Sequence, residues 1–182
     1  MMKTLMTMSL VLILFGSTST RKIDFGQGKD GRSWLVVNDG VMGGLSQGDA
    51  QLTENSILFK GKVSLDNNGG FSSIRSQFSD KQLSNYKEVE IRYRSTGISL
   101  AMTLSVSRRW YVPNYKTSLS GTEGEWKTVT LPLKDFRKHY IGRPMNETLN
   151  KTALKEVIRL GFITDEKKYG PFEFELDYIL FQ

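Results

Sequence analysis

The feature that most constrains this chain is a period of two in its hydrophobic residues. Lys87–Arg94 reads KEVEIRYR, with Val89, Ile91 and Tyr93 on one side and Glu90, Arg92 and Arg94 on the other. Alternation of this kind predicts half-buried strands. Ile98–Ser107 repeats it, with Leu100, Met102, Leu104 and Val106 facing a core. Phe172–Phe181 puts Phe172, Phe174, Leu176 and Tyr178 on one face; Ile179 and Phe181 follow on the acidic face, which implies a second covering layer. Further strands are expected at Ser33–Val37, Ser56–Leu65, Phe71–Gln77, Trp126–Leu131 and Val157–Thr164. Asp66-Asn67-Asn68-Gly69-Gly70 carries the residues of a tight hairpin, and Gly121–Gly124 marks a second turn. Only Asn150–Val157 has helical character, with Asn150 as its cap. Many strands and one short helix predict an all-β fold, a jelly-roll sandwich of two antiparallel sheets.

The 182 residues suit one such domain, with 38% hydrophobic and 24% charged residues. The N-terminus reads as a secretory signal: Lys3, an apolar run from Leu5 to Phe15, then Gly16-Ser17-Thr18-Ser19-Thr20. The expected division is a signal peptide over 1–20 and a β-sandwich over 21–182. The apolar run falls short of the ~20 residues of a membrane span. Export to a periplasm or the extracellular space follows, with membrane association only if the signal is retained. The chain has no Cys, so it has neither a disulfide framework nor a lipoprotein acylation site.

The usual catalytic constellations are missing. There is no thiol, and His139 is the sole histidine, set in a basic run. No nucleophile elbow or P-loop occurs, and one His cannot build a His-based metal site. The expectation is a binding domain without catalysis, cofactor or metal. The net charge of +6 is scattered, without the long basic stripe and stacked aromatics that nucleic acid requires.

Two segments break the alternation. Trp34–Gly48 reads WLVVNDGVMGGLSQG, and Phe59–Ser76 reads FKGKVSLDNNGGFSSIRS. With Trp126–Phe136, WKTVTLPLKDF, they resemble the signature of the complex I intermediate-associated protein 30 family, and the resemblance runs from Ile23 to Phe181. It implies a galactose-binding-like jelly roll and a non-catalytic role in protein binding or assembly. The N-terminus does not look like a mitochondrial transit peptide, so a complex I partnership does not transfer with the fold.

Within the signature, Trp34 is expected to plug the core. Asn38, Asp39 and Gly40 should form a tight turn, with Asp39 accepting backbone N–H groups. Gly43, Gly44, Gly69 and Gly70 let the chain pass where a Cβ would clash, the last two beside Phe71. Two readings stand side by side: these glycines only shape loops, or the loops meet as a ligand rim with Arg75 as its charged contact. A buried pair between Arg75 and Asp39 is the alternative for that arginine. Trp110, Tyr111 and Tyr115 would serve as a binding platform or fill the sandwich, with Arg92 and Arg94 lining the same face. The partner is a protein of the cell envelope or, alternatively, a glycan.

Overall fold

The computed structural model describes residues 19–182, so the expected signal segment lies, up to residue 18, outside the described residues. Thirteen strands follow in chain order: β1 (Arg21–Asp24), β2 (Leu35–Asn38), β3 (Gln47–Leu52), β4 (Ile57–Val63), β5 (Ser72–Arg75), β6 (Glu88–Gly97) and β7 (Leu100–Ser105). After these come β8 (Asn114–Ser118), β9 (Lys127–Pro132), β10 (Arg137–Tyr140), β11 (Arg143–Thr148), β12 (Arg159–Thr164) and β13 (Gly170–Phe181). One helix, α1 (Lys151–Glu156), is capped by Asn150, whose side chain accepts the Ala153 N–H at 2.9 Å.

The strands form two antiparallel sheets. A six-stranded sheet has the order β3-β4-β13-β6-β9, with β1 also on β13, and a seven-stranded sheet runs β11-β10-β8-β7-β12-β5-β2. The chain steps repeatedly from one sheet to the other, which gives the jelly-roll sandwich. Ile57, Phe59, Val89, Ile91, Tyr93, Phe172 and Phe174 point inward from the first sheet; Ile74, Leu100, Met102, Leu104, Leu160 and Phe162 meet them from the second. Each fully buried side chain of this size contributes about 1.5–3 kcal/mol of transfer free energy.

Two expectations fail for identifiable reasons. The register of β13 against β6 shifts between Leu176 and Tyr178, so Asp177 is the extra residue of a β-bulge. Ile179 and Phe181 are therefore buried in the same core as Phe172 and Phe174, while Tyr178 turns outward to donate to Glu90 at 2.7 Å. No second layer is needed. Asp66–Gly70 is not a hairpin, because β4 and β5 lie in different sheets and the segment is a crossover. Its turn chemistry is as expected, with Asn67 and Asn68 in the left-handed region.

The Gly-rich signature closes one end of the sandwich. Asp39 starts a 3-10 turn after β2 and is buried. Its carboxylate accepts the Ser46 N–H at 2.9 Å, the Ser46 hydroxyl at 2.5 Å, the Gly70 N–H at 2.7 Å and the Phe71 N–H at 3.1 Å. The Ser46 hydroxyl in turn accepts the Ser64 N–H at 3.0 Å. Burial opposes ionisation of Asp39, but these hydrogen bonds outweigh it and hold the pKa below the ordinary carboxyl value. Gly44 packs so closely on the carboxyl group that a Cβ there would overlap it, whereas a Cβ on Gly40 would meet nothing. Trp34 is half-buried, edge-on to Phe25 at 5.1 Å and stacked on Phe162 at 6.2 Å, at the margin of the core.

Asp39→Ala should lower the unfolding free energy by about 3 kcal/mol, because three backbone donors and a hydroxyl lose a charged acceptor. A urea midpoint that moves by less than about 1 kcal/mol equivalent would contradict this lock. The folded-state pKa is depressed, so the stabilisation is complete above the unfolded carboxyl value of about 3.9 and fades as pH falls through the lower folded value. Acid titration of Asp39→Asn should lack that component. Gly44→Ala should cost about 1–3 kcal/mol through overpacking, and Gly40→Ala less than about 0.5; equal costs would remove the steric argument.

Candidate functional site

The outer face of each sheet is a candidate surface, and the two differ in how they handle charge. On the six-stranded sheet, Arg92 pairs with Asp177, and Arg94 pairs with Glu175 at 2.5 Å. Both guanidinium groups also lie over the Trp126 ring, at 4.6 and 5.1 Å. These arginines are occupied by neighbours of their own sheet. A groove of about 550 Å³ lies farther along this face, and its charged residues Asp49, Lys60 and Glu173 alternate in sign across paired strands.

The seven-stranded sheet has a floor of small side chains. Register places Arg75, Gly161, Thr103 and Lys116 in one row across β5, β12, β7 and β8. A Cβ on Gly161 would meet Thr103 Oγ1 at 3.0 Å and Arg75 Cγ at 3.2 Å, so the arginine stem lies directly over the glycine. The half-buried Arg75 donates through Nε to Ser73 Oγ at 2.9 Å and forms no ion pair among the described residues. Burial and the nearby Arg159 push its pKa down to about 10, so it stays charged at neutral pH. Arg159 donates to the Ser76 carbonyl at 2.9 Å and lies 3.7 Å over the Phe78 ring; Arg108 lies 5.0 Å over the same ring. Farther along, a groove of about 290 Å³ is lined by Lys116, Ser118, Asp135, Arg137, His139 and Asp165. There Asp165 is bound by Lys116 and Ser118, which hold its pKa down against the opposing effect of burial.

The aromatic run divides. Trp110 is 72% exposed and set edge-on to Tyr111 at 5.9 Å, in the β7–β8 loop that also carries Arg108. Tyr115 is 6% exposed and packs in the core, because its inward position on β8 pairs it with buried Leu104. It cannot belong to an open platform. Arg92 and Arg94 do not line the face of the aromatic run, since β6 lies in the opposite sheet from β7 and β8. The buried pair between Arg75 and Asp39 is absent, because Asp39 spends its carboxylate on loop donors. The two Gly-rich loops do meet, through Asp39.

Arg108, Arg159 and Phe78 were not anticipated as site residues. Arg159 and Gly161 alternate with Leu160 and Phe162, which marks them as outward, but only the long-range pairing of β12 with β5 reveals their neighbour. Among the described residues no cluster of His, Asp and Glu is arranged to hold a metal ion, and no helix is long and apolar enough to cross a membrane.

Several solved structures share this fold. A family 11 carbohydrate-binding module of the cellulosomal cellulase Lic26A-Cel5E of Clostridium thermocellum matches with a TM-score of 0.67 at 18% identity, covering 91% of this chain and 95% of that one. The Clostridium thermocellum module in complex with a β-1,3-1,4-mixed-linked tetrasaccharide gives 0.65 at 18% identity, covering 91% and 96%. The agarase AgWH50C gives 0.54 at 11% identity over 88% of this chain and 24% of that one. No curated protein matches the chain by sequence. The family model of Complex I intermediate-associated protein 30 matches residues 23–176, from the first strand to within the last. The signature in the Asp39 and Gly70 loops thus sits inside a match that spans nearly the whole sandwich, and the chain belongs to the complex I intermediate-associated protein 30 family.

Proposed function

We propose that this domain is a non-catalytic glycan-binding module of an exported protein, and that its ligand lies on the outer face of the seven-stranded sheet. The observation that carries the proposal is Arg75, a half-buried guanidinium without an acidic partner, held over Gly161. An ion in that position is a poor stabiliser of the fold, since its desolvation is uncompensated. Its planar donor fork suits a pair of sugar hydroxyls or a carboxylate. Half-buried Thr103 lies in the same row as Arg75, and exposed Trp110 and Tyr111 offer apolar faces for stacking. The likeness to a carbohydrate-binding module solved with a tetrasaccharide supports this reading through its architecture alone.

A second reading, a protein-binding or assembly module, rests on the signature loop. Val41 is 75% and Met42 63% exposed, with Leu45 exposed beside them, and such an apolar group suits a protein partner. It would prevail if glycan arrays were blank and if Val41→Ser with Met42→Ser abolished association with a purified envelope partner.

On a glycan array and by calorimetry, Trp110→Ala with Tyr111→Ala should weaken binding roughly tenfold, the scale of one lost stacking contact. The melting curve should hardly move, because both rings are exposed. Arg75→Met should abolish measurable binding yet leave stability unchanged or raised by up to about 1 kcal/mol, as expected when an unpaired ion gives way to an apolar side chain of similar volume. Clear destabilisation by Arg75→Met with full retention of ligand would show that the arginine serves the fold.

A further inference from the structure

Resting on the glycan-binding reading, we infer that the ligand is an acidic polysaccharide, whose carboxylate or sulfate groups are received by a cluster of Arg75, Arg108 and Arg159 around Phe78. The three side chains come from different parts of the chain. Arg75 ends β5 and Arg159 begins β12, and register places Arg75 opposite Gly161, two residues along the same face from Arg159. Diagonal neighbours of this kind have Cβ atoms about 7–8 Å apart, within reach for long side chains. Arg108 arrives from the β7–β8 loop, and the Phe78 ring gathers both guanidinium groups, at 3.7 Å from Arg159 and 5.0 Å from Arg108. Behind them Lys81 is buried, its ammonium donating to Ser79 Oγ at 2.6 Å and the Gln77 carbonyl at 3.2 Å.

Four cations in one neighbourhood repel one another, and none of them has an ion pair among the described residues. Burial and this repulsion hold three of the four below their ordinary pKa values. Burial and Arg159 lower Arg75, burial and Arg108 lower Arg159, and burial, Arg21 and Arg159 lower Lys81. The hydrogen bonds of Arg75 and Arg159 use only Nε, so the terminal nitrogens of both are free of protein acceptors among the described residues. Among the described residues no fully buried side-chain nitrogen lacks a partner, so these terminal nitrogens keep some contact with solvent. Each has the bidentate geometry that matches a carboxylate or a sulfate.

The other outer face answers the same problem differently. There Arg92 and Arg94 are neutralised by Asp177 and Glu175 and supported on Trp126. The same chain therefore pairs the arginines of one face with acids and leaves those around Phe78 without an ion pair among the described residues. Trp110 and Tyr111, carried by the loop of Arg108, would stack on a sugar ring while the arginines take its charge.

Affinity electrophoresis of the full chain through gels containing polygalacturonate, a sulfated galactan or neutral mixed-linked β-glucan tests the inference. Retardation by one or both acidic polymers, but not by the neutral one, is the expected result, and the two acidic arms separate carboxylate from sulfate recognition. Arg108→Gln and Arg159→Gln should each weaken that binding about tenfold, as loss of a charge-assisted hydrogen bond does. Arg159→Lys, which keeps the charge over Phe78 but not the donor fork, should bind between the wild type and the Gln variant and guards against a folding defect in the latter. Binding should also weaken as salt is raised from 0.05 to about 0.5 M. Binding to neutral glucan unaffected by either Gln variant would overturn the acidic specificity while leaving the glycan-binding reading intact. Retardation by no polysaccharide would overturn both.

Discussion

A single buried carboxylate organises this sandwich. Asp39 leaves β2 of the seven-stranded sheet, and its oxygens collect donors from Ser46, which leads into β3 of the other sheet, and from Gly70 and Phe71, which return the chain to β5. Ser46 extends the web to Ser64 at the end of β4. Both crossovers at this end of the fold thus converge on one ion. An ionised group can stay buried there because backbone N–H groups replace its water, and the glycines let those groups approach. The chemistry of the family signature is consumed inside the protein. What it presents outward is a loop tip with exposed Val41, Met42 and Leu45.

This internal use of Asp39 separates the architectural part of the chain from the part free to meet a ligand. Arg75 is only a few residues beyond Phe71, yet it belongs to a different system. Its stem rests on Gly161, its Nε is fixed by Ser73, and its charge faces Arg159 in place of a carboxylate. A network built for stability would pair it, as the opposite sheet pairs Arg92 and Arg94. The contrast is informative because the two faces, built from different strands, belong to one domain in one solvent.

Much of the fold was legible from alternation, because one side of each sheet is dry. The inward sets of β6 and β7 and the Asn150 cap are local properties; Asp39 was legible as a backbone acceptor, although its donors Gly70 and Phe71 lie 31 and 32 residues away. The failures have a common origin in information that is not local. At Asp177 one inserted residue reverses the faces of β13, and alternation read straight through it gives a false second layer. Asp66–Gly70 has the residues of a hairpin turn, but turn chemistry does not say whether the next strand pairs with the previous one or crosses to another sheet. Tyr115 sits in an aromatic run whose other rings are exposed, and only the register of β8 on β7 turns it inward. Arg75 was recognisable as an arginine on a serine-rich strand. Its company, Arg108 and Arg159, is 33 and 84 residues away in the chain.

The arrangement also divides rigidity between the two kinds of contact. Arg75 and Arg159 stand on strands whose hydrogen-bond ladders continue on both sides, and Gly161 between them has no room for a side chain: Ile74 O, Thr103 Oγ1 and Arg75 Cγ all lie within 3.2 Å of where its Cβ would be. The guanidinium groups are therefore placed by the sheet itself, at a spacing that local loop motion does not alter. Trp110 and Tyr111 belong to a connection between β7 and β8 and touch each other edge to face, so no strand ladder fixes their angle to the sheet. Charge recognition needs a fixed spacing, since paired ionic contacts lose their advantage when either group drifts. Stacking tolerates sliding and tilting of one ring over another. A surface with Arg75 and Arg159 on strands, and Arg108 and the aromatic rings on a loop, can hold a repeating polymer in register by its two fixed charges while adapting to the ring that bears them.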